Sequence, residues 1–275
     1  MPSIERITIF CFGASYAVAL GLEVVQLIRP RSLLRLLSTA FGFAGLLAHT
    51  LFLAVHRPSL ATQLGSLLFL SWILAVFCLY GSAHHRRLAW GVFVLPVVLG
   101  LTLLAGLFGQ PGGYPAGVPN YPPLDLEQLW RVLHIALFLL AAVGVSVAFM
   151  ASVMYLVQAH RLKTKSLPGH GLQLLSLERL EQMNRRGINW AFPLLTAGLL
   201  VSMALLAQDP ARLTGWSDPR IVTTSVLWLV FAIVLYLRYG FHLRGRRVAL
   251  LTIVAFVLLL VTLITPHTPI PGGYP

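Results

Sequence analysis

Charge is scarce in this chain. Of its 275 residues, 10% are Asp, Glu, Lys or Arg and 57% are apolar, whereas a soluble domain carries roughly 25% charged residues. Acid is scarcer still. The eight carboxylates are too few and too scattered for a paired general acid and base. There are two cysteines, Cys11 and Cys78, both inside apolar runs and not in a CxxC pair, so thiol redox chemistry and a thiolate metal site are disfavoured. No Walker loop, HExxH or GxSxG occurs, which leaves nucleotide hydrolysis, zinc proteolysis and serine hydrolysis without their usual groups. The reading is of a protein that is not an enzyme.

Long apolar runs are what the chain does have. Its mean hydropathy is +0.82, as expected where lipid solvates apolar side chains outside as well as inside. A membrane-crossing helix needs about 20 apolar residues, and eight runs qualify: 7–28, 33–55, 64–81, 88–108, 131–157, 190–207, 221–239 and 248–265. Lipid forces each to satisfy its own backbone as a helix. The expected fold is an all-α integral membrane protein, a single polytopic domain over 1–275 with about eight transmembrane helices. The first run has no basic stretch before it and no clear cleavage site, so it is read as a retained span.

The formal charge is +12, but nucleic acid is not the expected partner, because the cations fall in short loops between spans. Fifteen of the twenty Lys and Arg residues, including Arg185, Arg186 and Arg238, lie on one set of alternate loops. Arg6, Arg57, Arg131, Arg212 and Arg220 lie on the other. The positive-inside rule puts the larger set in the cytoplasm and both termini outside. Residues 109–130, rich in Gly and Pro, form an outer loop, and 158–189 a cytoplasmic loop. Within the latter, "LLSLERLEQMNRR" predicts a short interfacial helix. "PGGYP" occurs at 111–115 and 271–275 and is read as two turns with an interfacial tyrosine. Glu23 lies well within the first span and is expected to snorkel to the interface or to pair with a loop arginine.

Of nine histidines, His49, His56, His134 and His267 fall in the outer half, contributed by the second, fifth and eighth spans or their ends. Imidazole is a common axial ligand of haem iron, and an intramembrane ionisable group is a functional hypothesis by default. A neutral histidine bonded to a neighbouring helix is the bland alternative for His49, and an exposed cap residue that for His56. The segment "LTGWSDPR" (213–220) reads, as bare chemistry, as a turn before a span, with Trp216 an interfacial anchor.

Several strings together resemble one family, the CcsA/HemX-type cytochrome c assembly membrane proteins. They are "SLLFLSW" (66–72), "LWRVLHI" (129–135), "SLERLEQMNRRGINWAFPLLTAGLL" (176–200), "SDPR" (217–220) and "LWLVFAIVLYLR" (227–238). The resemblance runs over about 56–269. It implies an outer Trp-rich loop on which haem rests, with an outer histidine on each side holding the iron. His134 and His267 match those histidines, and Trp216 and Asp218 match the end of the loop. His49 is a further cofactor-binding candidate. The family's Trp-rich motif is reduced here, since "LAQDPARLTG" before Trp216 holds no other tryptophan. A family histidine of the following span is replaced by Tyr236. That pattern resembles the HemX/YpjD branch.

The resemblance implies a multi-pass protein of the bacterial inner membrane that binds haem b at the outer face and supports c-type cytochrome biogenesis. Its partners would be membrane lipid, a second membrane component of the assembly system and apocytochrome c. The alternatives are a haem b electron carrier and a haem-free regulatory or scaffold protein of the HemX type that docks a partner on loop 158–189. A small-solute transporter is disfavoured by the shortage of intramembrane polar groups.

Overall fold

The computed structural model describes residues 8–29, 31–60, 62–84, 90–108, 126–164, 175–208, 219–241 and 245–265. Within them are eight α-helices: α1 (Ile9–Ile28), α2 (Ser32–His56), α3 (Gln63–His84), α4 (Trp90–Phe108), α5 (Leu126–Lys163), α6 (Leu177–Gln208), α7 (Pro219–Tyr239) and α8 (Arg246–Ile264). No strand occurs among the described residues. All eight are long and apolar enough to cross a membrane. Their ends follow from local sequence. α2 stops where Arg57 turns left-handed (φ 42°) and its N–H closes on the Leu53 carbonyl, ahead of Pro58. α8 starts after Gly245 (φ 75°), where a Cβ would also stand 2.7 Å from the Tyr155 hydroxyl.

Two helices outrun the apolar stretches that mark them. α5 extends to Lys163, and α6 begins at Leu177. The segment expected as a separate interfacial helix is therefore the first part of α6. No glycine or proline interrupts 177–186, so nothing stops the helix where the hydropathy falls. Pro96 and Pro193 lie inside α4 and α6, where each withholds one N–H from the carbonyl four residues earlier.

The chain forms two compact units. One comprises 1–114 with 156–179, the other 115–155 with 180–275. In the first, α1 packs on α2 and α4, α3 on α4, and α2 on α3. Its centre holds Phe12, Tyr16, His49, Leu67, Leu68 and Leu74, all 1% exposed or less. In the second, α7 packs on α8, and α5 meets α6 at Gly144 and Gly187. A Cβ on Gly187 would stand 2.7 Å from the Gly144 carbonyl. The outward faces are apolar. Phe10, Leu36, Leu107 and Leu200 are all more than 60% exposed, which suits a lipid solvent and not water.

Candidate functional site

His134 lies in the third turn of α5, in the segment that carries the family-like "LWRVLHI". The ring is half-buried, and its Nδ1 lies 2.9 Å from the carbonyl oxygen of Gly198 on α6. A carbonyl only accepts, so Nδ1 carries the hydrogen, and in the neutral ring the lone pair then sits on Nε2. Gly198 makes the approach possible, because a Cβ there would press to 2.9 Å on the Phe138 ring. Phe138 in turn flanks His134, with centroids 4.7 Å apart. An imidazole held by Nδ1 on a backbone carbonyl is the arrangement that orients metal-ligating histidines. The donor chemistry at His134 therefore fits an axial ligand to iron.

His267, Trp216 and Asp218 lie outside the described residues. Tyr236 is 65% exposed and packs edge-on to Phe241. Among the described residues, no three His, Cys, Asp or Glu side chains converge on a metal-sized site.

His49 belongs to the first unit and has a different setting. It is fully enclosed. Its ring stacks flat on Phe12 at 4.1 Å, and its Nδ1 lies 3.5 Å from the Tyr16 hydroxyl. Its Nε2 has no hydrogen-bond partner among the described residues. Tyr16 reaches it by crossing Gly45, where a Cβ would stand 2.8 Å from the tyrosine ring. The buried positions Ser38, Gly42, Gly45 and His49 recur at helical spacing along one face of α2. Ser38 and Gly45 in that column admit α1, and Gly42 faces Leu79 of α3.

The second unit carries a polar centre that sequence reasoning missed. Asn184 is 5% exposed. Its amide nitrogen lies 2.8 Å from Ser152 Oγ, 3.0 Å from Thr252 Oγ1 and 3.2 Å from the Ala148 carbonyl. Its oxygen accepts from Arg238 at 2.8 Å. Arg238 also donates to the Glu181 carbonyl at 3.3 Å and lies 3.8 Å from the Glu181 carboxylate. Counted from sequence among the loop cations, Arg238 is in fact 7% exposed and helical. This centre ties α5, α6, α7 and α8 together.

Comparison with known proteins then decides the family. The profile of the family described as "Cytochrome C assembly protein" matches residues 60–265. The chain belongs to that family. Among relatives in this cytochrome c assembly family, the "Cytochrome c biogenesis protein CcsA" of Gloeobacter violaceus is 25% identical over 246 residues, covering 72% of each chain. That of Guillardia theta is 29% identical over 210 residues, covering 70% of this chain and 67% of the relative. That of Synechococcus sp. (strain JA-3-3Ab) is 27% identical over 303 residues, covering 90% and 86%. No solved structure gives a significant match. Membership of the cytochrome c assembly family accords with the eight apolar helices and makes this a multi-pass membrane protein of cytochrome c biogenesis.

Proposed function

We propose that the protein binds haem b as cargo at the outer face of the bacterial inner membrane and holds it for attachment to apocytochrome c. The single observation that carries this reading is the His134–Gly198 bond, which fixes the tautomer and aim of one imidazole. In this reading His134 and His267 hold the iron from opposite faces. Trp216 covers the porphyrin, and Asp218 shapes the loop. Arg131, Arg212 and Arg220 neutralise the propionates. The protein binds and presents without turnover, the cysteines that accept haem belong to the partner, and a second membrane component completes the system. The lone Trp216 is in keeping with the HemX-like branch. His49, enclosed by Phe12 and Tyr16, is assigned to the interior of its own unit and not to this cargo.

The test is a reduced-minus-oxidised absorbance spectrum of the purified protein beside its His134→Ala and His267→Ala variants. We expect a bis-histidine haem spectrum in the wild type and loss of most bound haem in each variant. Wild-type spectra in both variants would show the ligand assignment to be wrong. Absence of haem even from cells given an excess would favour the haem-free scaffold.

A further inference from the structure

Glu23 is half-buried within α1 and forms no ion pair among the described residues, so the pairing with a loop arginine that its position allowed is not made. It turns into the first unit, where its Oε1 lies 3.1 Å from the hydroxyl of Ser38 on α2. Ser38 is 2% exposed, and the same hydroxyl lies 3.2 Å from the Ala19 carbonyl. A hydroxyl has one proton to give. With Glu23 ionised, Ser38 must share that one hydrogen between Oε1 and the Ala19 carbonyl. With Glu23 protonated, its O–H donates to Ser38, Ser38 donates to Ala19, and both contacts are made.

The remaining neighbours are consistent with a site for one exchangeable proton. A cavity of about 20 Å³ lies against the carboxyl, lined in part by Tyr16, Ser38, Cys78, Ser82 and Gly91. That is room for a single water. Gly91 on α4 keeps the space open, since a Cβ there would stand 2.9–3.0 Å from the Glu23 side chain. The charged group facing this region from α2 is Arg35. With the Gln26 amide turned to accept, Arg35 engages it at 3.0 and 3.3 Å, so its guanidinium has a partner other than Glu23. From α3 the facing titratable group is Cys78, and on α1 itself it is Tyr16.

We propose that Glu23 is a proton-binding site of the α1–α4 unit. It rests as a carboxylic acid on Ser38 and exchanges its proton through a water in the cavity. On release the Glu23 O–H bond breaks, the electron pair stays on the carboxylate, and the proton leaves on water. Ser38 then turns its one proton from the Ala19 carbonyl to Oε1. The distances of 3.2 and 3.1 Å let one hydroxyl position serve both states. The unit can thereby change its charge by one without moving a helix.

Infrared difference spectroscopy on the full-length protein in lipid nanodiscs tests this. At neutral pH, wild type minus Glu23→Gln is expected to show the carbonyl stretch of a protonated carboxyl, shifted in D₂O. Gly91→Ala, which keeps Glu23 but crowds it, is expected to move that band. Carboxylate bands alone in the difference, a band that ignores D₂O, or a band unmoved in Gly91→Ala would each overturn the proposal. If Glu23→Gln does not fold, the D₂O shift and the Gly91→Ala displacement decide by themselves.

Discussion

Asn184 shows how much one side chain can hold in an apolar surrounding. Its amide gives hydrogens toward α5 and α8 and takes one from Arg238 on α7. Single interhelical hydrogen bonds in membranes average only about 0.6 kcal/mol. Asn184→Ala does more than delete them, because it removes the main neutral partner of a buried guanidinium. We expect it to lower stability by about 3 kcal/mol, read as an earlier thermal unfolding transition in detergent. Asn189→Ala is the control. Asn189 is exposed and donates to Tyr239, and its loss should cost under about 1 kcal/mol. None of this was legible in "LEQMNRR". A polar residue between charged neighbours looks solvated until the helix opposite is known. His134 was legible as a candidate because its string carried the family likeness. Its partner was not, since a backbone carbonyl leaves no mark in sequence.

At the scale of the helix, boundaries and contacts divide differently. The apolar runs located all eight helices, because lipid admits no other way to satisfy a spanning backbone. They misplaced the ends of α5 and α6, because hydropathy reports the solvent and a helix continues until something stops it. The contacts depend on glycines that look alike in the sequence and are not. Gly187→Ala would set a methyl 2.7 Å from the Gly144 carbonyl and 3.0 Å from the Ala148 methyl, forcing α5 and α6 apart at roughly 1–3 kcal/mol. Gly100→Ala, on α4, meets nothing within 4 Å and should stabilise by up to about 1 kcal/mol through helix propensity. Thermal unfolding of the two variants should therefore move in opposite directions. If both fall together, close approach at Gly187 is not the deciding contact.

For the whole molecule, charge orients what hydropathy only counts. The cation-rich loops predict that the α5–α6 connection is cytoplasmic and the α2–α3 connection external. In a Cys11→Ser background, where the buried Cys78 remains, an impermeant maleimide should label Ser59→Cys in intact cells. It should label Thr164→Cys only after the membrane is permeabilised. The reverse pattern would invert the topology and move His134 to the cytoplasmic side. The proposed haem contacts of His267 and Trp216 rest on family resemblance alone, because such chemistry is a matter of residue identity and not of apolar periodicity. The length of α5 has a consequence for solvation. Its 38 residues make a rod about 57 Å long, nearly twice a hydrocarbon core of about 30 Å. His134 lies near one end and Lys163 at the other. A rod of that length cannot lie wholly in the hydrocarbon, so roughly half of it must stand in headgroups or water. Lys163, with Arg161 and His160 beside it in the last turn, is the polar end such an overhang requires.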